Sequence, residues 1–189
     1  KLLADIPLPR MVKVRQHFDR DEIEDVAGTL RGKLAREEIA GRIRPGMRIV
    51  LTGSGREITN MNVVLRELAS FIREHEAFPF IIPAMGSHGS STSEGQKEVL
   101  AGYGITEEFC GCPIHSTMET VLLGHTDEGD PVFMDAFAAG ADAIIAVGRI
   151  KPHTAFRGRY ESGLMKMLAV GIGKQRGADS IHRLGFGPL

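Results

Sequence analysis

The amino-acid sequence predicts an α/β fold with a largely parallel sheet flanked by helices. Two observations lead to this prediction: short apolar runs alternate with amphipathic stretches of helical period, and glycine-containing loops follow the runs. Strands and helices that alternate in this way usually build parallel sheets. At 189 residues the chain is long enough for a hydrophobic core, and we expect one domain over residues 1–189.

The first half of the chain holds an arm, three helices and two strands in this prediction. Residues 1–15, which include Pro7 and Pro9, are expected to be extended. The apolar spacing then predicts a helix over 20–43, a strand over 47–51, a helix over 58–75, a strand over 80–83, and a further helix after residue 91. Ser91 and Glu94 have capping-box spacing and are expected to begin that last helix.

The second half has shorter predicted elements. Strands are expected over 113–117, 120–123 and 143–147, with a turn near 127–131. The stretch from Lys151 to His182 follows, crowds histidine, lysine and glycine together, and is expected to continue into a helix.

Composition narrows the function classes. The formal net charge is −1, from 23 basic and 24 acidic residues, so we expect neither a nucleic-acid nor a membrane partner. No apolar run has the length of a membrane span, and no signal-peptide core is visible. Cys110 and Cys112 lie too close together in the chain for a disulfide between them to stabilise the fold. Because no second pair of ligands lies nearby, we expect no structural zinc site. These features favour a reduced, cytoplasmic protein.

Three loops are expected at the carboxyl edge of the sheet, where α/β folds place their sites: 52–57, 85–93 and 149–163. His88 lies between glycines in the second loop, and His153 lies in the third, behind Pro152. Imidazole changes charge near neutral pH, which suits a general acid or base. Two histidines after neighbouring strands would face one substrate from opposite sides, as a racemase or epimerase requires. The alternative for His88 is a loop histidine bonded to its own turn.

The remaining candidates each have a structural alternative. Lys166 lies between Met165 and Met167, where apolar surroundings would make its amine reactive, or where its stem would simply cover apolar surface. His182, in a predicted helix, is a metal ligand or ordinary helix surface. Three arginines in the loops are candidates for anion binding or are solvated charges: Arg56 for a carboxylate, and Arg157 and Arg159 for phosphate.

Two motifs superficially resemble phosphate-binding loops. They are Gly53-Ser-Gly-Arg56 and Gly171-Ile-Gly-Lys174. Neither matches the Walker pattern, and the second lacks both the four-residue spacer and the hydroxyl residue after the lysine. We therefore expect no nucleoside triphosphate site at either motif.

Three longer motifs, taken together, resemble the N-terminal domain of the nickel-pincer lactate racemase family, and more closely its uncharacterised homologues than lactate racemase itself. They are Pro83-Ala-Met-Gly-Ser-His-Gly89, Arg149-Ile-Lys-Pro-His-Thr154 and Ser162-Gly-Leu-Met-Lys-Met-Leu-Ala-Val-Gly171, which leads to His182. The resemblance covers nearly the whole chain. It implies a Rossmann-like N-terminal domain of a two-domain enzyme, so the C-terminal domain is expected to lie outside this chain.

The resemblance also implies a cofactor and roles for individual residues. The family's cofactor is a nickel-pincer nucleotide, pyridinium-3,5-bisthiocarboxylic acid mononucleotide nickel. By motif position, His182 resembles its nickel ligand, and Lys166, sixteen residues earlier, resembles the lysine that tethers it. His88 and His153 resemble the acid/base pair and Arg56 the arginine that holds the substrate carboxylate. Arg157 is expected to help bind the cofactor.

The implied reaction is racemisation or epimerisation of a 2-hydroxy acid or related sugar acid, and the enzyme is thus expected to be an isomerase. The hydrogen on C2 is barely acidic, so it leaves more easily as hydride while a histidine takes the hydroxyl proton. Two alternatives stay open. One is a non-catalytic binding domain for a nucleotide-like or sugar-acid ligand. The other is a hydrolase with an ordinary divalent metal, for which Glu161 or Asp179 would supply a carboxylate.

Overall fold

A computed structural model describes residues 10–18, 21–153, 157–158 and 161–185 of the chain. Its helices are α1 (Val26–Leu34), α2 (Glu37–Ala40), α3 (Met61–Glu74), α4 (Ser93–Gly102), α5 (Glu107–Cys110), α6 (Ala136–Ala139), α7 (Leu164–Lys166) and α8 (Lys174–Arg183). Its strands are β1 (Arg48–Gly53), β2 (Phe78–Pro83), β3 (Thr120–His125), β4 (Pro131–Asp135) and β5 (Ala143–Ile145). A 3-10 turn (Gly89–Ser91) precedes α4, and a π-helix (Met167–Gly171) joins α7 to the segment before α8.

The predicted parallel sheet is confirmed. Strand β1 lies in the centre, with β2 on one side and β5 on the other, and both pairs are parallel. Strands β3 and β4 form a separate antiparallel hairpin, whose register shifts between Leu122 and Gly124. The carboxyl ends of the three parallel strands therefore open towards one edge, from which the three loops leave.

The core fills both faces of the central strand. Ile49 and Leu51 pack with α3 on one face, whereas Val50 packs with Ala138 and Ile172 on the other. Each of these three β1 side chains is at most 1% exposed. Burial of an aliphatic side chain contributes about 1.5–3 kcal/mol, so the two apolar layers fix the strand between helices. Because Ile172 belongs to the second layer, the C-terminal helical segment is anchored beneath the carboxyl edge of the sheet.

Several predicted boundaries are wrong for local reasons. The long first helix is two helices, and α1 begins later than predicted because the Asp25 carboxylate accepts from the Gly28 N–H at 2.8 Å and caps it there. Helix α4 is capped by Thr92, whose hydroxyl oxygen accepts from the Gly95 N–H at 3.0 Å, and not by Ser91. The single O–H of Ser91 is instead shared between the Ser87 carbonyl and the Gln175 side-chain oxygen on α8.

Two strand predictions are also corrected. Residues 113–117 form only an isolated bridge between Ile114 and Ile81, and β5 ends at Ile145 rather than Val147. In the N-terminal arm, residues 10–15 have no regular structure, whereas Pro7 and Pro9 lie outside the described residues.

Cys110 and Cys112 are buried and free, and burial raises the pKa of the Cys112 thiol to about 12. Within the described ranges, every helix is too short or too polar to cross a lipid bilayer.

Candidate functional site

The three predicted loops meet at one cavity of about 520 Å³ beyond the carboxyl edge of the sheet. The loops after β1, β2 and β5 supply three of its walls, and the helical segment from α7 to α8 supplies the fourth. This volume is in the range that small-molecule sites occupy. Its position follows from the parallel sheet, because all three strands end at the same edge.

Five of the six candidate residues line this cavity: Arg56, His88, His153, Lys166 and His182. Arg157 is not in its lining: the guanidinium donates to the His153 carbonyl at 2.7 Å and lies 3.7 Å from the Glu161 carboxylate. Arg159 lies outside the described residues. The prediction that the two histidines follow neighbouring strands is wrong, because β1 lies between β2 and β5. They therefore belong to the two loops that flank the loop of Arg56.

The orientation of His88 is set by a backbone contact. Its Nδ1 lies 3.1 Å from the Gly55 carbonyl oxygen. A carbonyl can only accept, so Nδ1 carries the proton of the neutral ring and Nε2 is left with a free lone pair. Glycines at 86 and 89, with φ of 61° and 63°, turn the chain sharply on either side of this histidine. The contact with the Gly55 carbonyl therefore orients the His88 ring so that Nε2 is the nitrogen that can accept a proton.

Gly55 lies so close to His88 that no side chain fits there. A Cβ at this position would lie 2.5 Å from His88 Nδ1 and 2.5 Å from Met85 Cβ. We expect Gly55→Ala to break the His88 contact and to lower the free energy of unfolding by about 1–3 kcal/mol. Denaturant unfolding measures the stability, and ¹⁵N shifts of labelled histidine measure the loss of the Nδ1–H form.

The matched control is Gly32→Ala in α1, where a Cβ would meet nothing within 4 Å. This change is expected to be neutral or to stabilise by up to about 1 kcal/mol, because alanine suits a helix interior better than glycine. If Gly55→Ala proved as stable as Gly32→Ala, with an unchanged histidine spectrum, the loops would have to relax around the added methyl group.

The loop of His153 is held by the carboxylate of Glu161. One oxygen accepts from the His153 N–H at 3.0 Å, and the other accepts from the Gly158 N–H at 3.2 Å. These two backbone donors, His153 first, hold the pKa of Glu161 below its ordinary range. The Glu161 carboxylate is therefore engaged in shaping the loop and not free to bind a metal.

This contact predicts a pH dependence for the loop. Because the pKa of Glu161 is lowered in the folded chain, the contact stabilises the loop above the ordinary glutamate pKa. That stabilisation is lost as the pH falls through the lowered value. The His153 amide resonance is expected to shift with a midpoint below about 4.3, the ordinary value, and to stop titrating in Glu161→Gln. A midpoint at or above the ordinary value would contradict the contact.

Lys166 and His182 lie on the C-terminal wall of the cavity. Both are exposed, and Leu164, Met165 and Leu168 beside the lysine are 45%, 49% and 47% exposed, so the apolar side chains around Lys166 are open to solvent and do not bury its amine. The π-helix begins directly after Lys166, with the Ile172 N–H donating to the Met167 carbonyl at 2.8 Å. Single π turns of this kind are frequent at functional sites.

The wall also packs unusually closely on the loop after β2. The Gly86 N–H donates to the Gly171 carbonyl at 3.1 Å, and a Cβ on Gly171 would lie 2.7 Å from the Ala84 carbonyl oxygen. Glycine is needed at 171 because the two backbones approach so closely. The segment with Lys166 is thereby fixed against the segment with His88.

The cavity is strongly cationic although the chain is not. Among the described lining residues, Glu57 is acidic, whereas four are basic: Arg56, Arg149, Lys151 and Lys166. Sequence reasoning missed Arg149 and Lys151, although their place just after the predicted strand over 143–147 was a usable signal. A wall of this charge favours an anionic ligand, such as a carboxylate or a phosphate ester.

The described part of the cavity wall offers few metal ligands of its own. The described residues contain no cluster of three or more His, Cys, Asp or Glu side chains placed to bind a metal ion. Asp179, one of the two carboxylates considered for a hydrolase, accepts from the Gln175 amide at 2.7 Å. The wall instead offers the single imidazole of His182. One protein ligand is enough for a metal ion whose other ligands belong to a bound cofactor.

Comparison with known proteins identifies the family of the chain. A sequence model described as the lactate racemase N-terminal domain matches residues 8–187, which is almost the whole chain. The match includes the three loops, the π-helix and α8. No curated protein sequence matches the chain. On the extent of that match, the chain belongs to the lactate racemase N-terminal domain family.

Proposed function

We propose that the protein is a racemase or epimerase of a 2-hydroxy acid or a related sugar acid, and that it works with a nickel-pincer nucleotide. One observation carries the proposal. Three histidines and a lysine, namely His88, His153, His182 and Lys166, line a single cationic cavity in a chain of the lactate racemase N-terminal domain family. Simple binding of an anion would need the arginines and lysines but not this set of histidines.

The described residues fit the cofactor in charge and in donor type. His182 would complete the coordination of nickel, which accepts imidazole beside sulfur ligands. Lys166, exposed in the same wall, would form the tether, and the nearby Arg149 and Lys151 would meet the nucleotide phosphate. When bound, the group supplies an acceptor for the C2 hydrogen as hydride. Every other requirement of the reaction falls to side chains of the chain.

Those side chains would divide the work by position. Arg56 would hold the substrate carboxylate, so that C2 and its hydroxyl lie between the loops of His88 and His153. His88 would accept the hydroxyl proton at Nε2, the nitrogen left free by the Gly55 contact. His153, on the other flanking loop, would do the same for the opposite enantiomer. The histidine that receives a proton from one enantiomer thus returns it when that enantiomer is re-formed.

The alternatives have weaker support. A non-catalytic domain for a nucleotide-like or sugar-acid ligand rests on the cationic lining alone. A hydrolase with an ordinary divalent metal needs a carboxylate near a histidine, and Glu161 and Asp179 are both hydrogen-bonded elsewhere.

Metal content tests the proposal. The full-length protein, produced in a host that also synthesises the cofactor, is expected to carry close to one nickel per chain by plasma mass spectrometry. His182→Ala is expected to lose it, whereas His125→Ala, at an exposed histidine of β3, is expected to retain it. Absence of nickel from the parent protein under these conditions would remove the racemase proposal and favour the binding domain.

A further inference from the structure

Lys174 is the most unusual residue below the cavity. It is fully buried, and it begins α8 with a φ of 55°, in the left-handed region that side chains rarely adopt. Neither property suits a lysine, which ordinarily lies at the surface. Such backbone outliers persist where the surrounding structure requires them, and they concentrate near functional sites.

Three acceptors surround its ammonium group. The Pro83 carbonyl lies at 2.5 Å, the Gln96 side-chain oxygen at 3.0 Å and Asp135 Oδ2 at 3.1 Å. Of the three donors of the ammonium, two form hydrogen bonds to the Pro83 and Gln96 oxygens. Asp135 Oδ2 makes no well-aligned hydrogen bond within the described residues, so the ammonium is what compensates its charge. The lysine therefore joins the ends of β2 and β4 to α4.

The same network reaches the loop of His88. The Gln96 amide nitrogen donates to the Gly86 carbonyl at 2.8 Å and to the His88 carbonyl at 3.3 Å. Because Lys174 occupies the amide oxygen, the amide cannot flip without losing both sets of contacts. Beside it, the Ser91 hydroxyl donates to Gln175 at 2.7 Å, which ties the far end of the loop to α8 as well.

We propose that Lys174, with its charge balanced by Asp135, is a positioning residue, which acts through Gln96 to fix the loop that presents His88 to the cavity. The assignment of His88 as an acid/base group rests on the proposed function, but the positioning itself does not. A buried ion pair is a poor source of stability compared with apolar packing of the same volume. The hydrogen bond from Lys174 to the Gln96 oxygen does what apolar packing cannot: it fixes the orientation of the amide whose nitrogen donates to two carbonyls of this loop.

Two variants test this while sparing the fold. Gln96→Leu removes the link to the loop but leaves Lys174 with Asp135 and Pro83. Lys174→Met combined with Asp135→Asn removes both charges, and the asparagine oxygen can still cap α6. Lys97→Met is the control, at an exposed neighbour of Gln96 on α4. Thermal unfolding establishes that each variant is folded.

The first readout is the tautomer of His88 in ¹⁵N-histidine spectra, assigned by its absence from a His88→Asn variant. The parent and Lys97→Met are expected to show the Nδ1–H form, and the two test variants a mixture of both forms. This readout requires neither cofactor nor substrate. An unchanged Nδ1–H form in both folded test variants would overturn the proposal.

The second readout is catalysis by the cofactor-loaded protein. The test variants are expected to lose about 10- to 100-fold in kcat, the effect of a small misplacement of an acid/base group, while KM changes little. A change of tautomer without any racemase activity in the parent would support the positioning role and remove the proposed function, so the two failures are distinguishable. Unchanged kcat beside a changed tautomer would contradict the assigned role of Lys174 in catalysis.

Discussion

Asparagine at position 88 or 153 is expected to lower kcat for racemisation by about 10²- to 10⁴-fold, the usual contribution of a positioned acid or base. The amide nitrogen of asparagine can occupy the place of His88 Nδ1 and keep a hydrogen bond to the Gly55 carbonyl. It offers no nitrogen that accepts a proton at the place of Nε2. The substitution therefore removes the chemistry and leaves the loop contact in place.

The effect should be seen with both enantiomers of the substrate and in each single variant. A racemase needs both histidines in each direction. One takes the hydroxyl proton of the substrate, and the other supplies the hydroxyl proton of the product. Polarimetry or chiral chromatography measures the rate, and His125→Asn on β3 serves as the control with activity unchanged. Persistence of most of the activity in either His88→Asn or His153→Asn would mean that the proton passes through another group.

Local patterns were sufficient to predict the sheet and its loops. Strands β1 and β2 are short apolar runs that are buried on both faces, and each is followed by a glycine-containing loop. In a chain where helices alternate with strands, short apolar runs of this kind predict the buried strands of a parallel sheet. The carboxyl-edge rule then placed His88 and His153 at one site, although the strand order β2-β1-β5 was not readable from the sequence.

Features that depend on distant partners were not predictable. The motif Gly171-Ile-Gly-Lys174 resembles a phosphate loop only superficially, and nothing in it marks Lys174 as buried. Its partners Gln96 and Pro83 lie 78 and 91 residues earlier in the chain. The capping residue of α4 was misplaced by one position because Ser91 and Thr92 are chemically similar, and only the fold decides which hydroxyl turns towards α8.

The largest expected loss of stability follows from breaking the buried ion pair on one side. Burial lowers the pKa of Lys174, and the Asp135 carboxylate 3.1 Å away opposes that shift. Lys174→Met would leave the carboxylate buried without a cation, which typically costs about 3–5 kcal/mol of the free energy of unfolding. Replacing both partners avoids an uncompensated charge, so the double variant with Asp135→Asn is expected to be more stable than Lys174→Met alone.

A double-mutant cycle in urea measures this coupling. The single changes Lys174→Met and Asp135→Asn and their combination give a coupling energy that we expect to reach about 1–3 kcal/mol, as for directly contacting residues. The Lys97→Met variant, whose lysine lies 3.9 Å from Glu107 at the surface, is expected to change stability by less than about 1 kcal/mol. Additive single changes would show that the two buried groups act independently. Strong coupling would show that the charge pair, and not the volume of the lysine, is what the fold requires beneath the loop of His88.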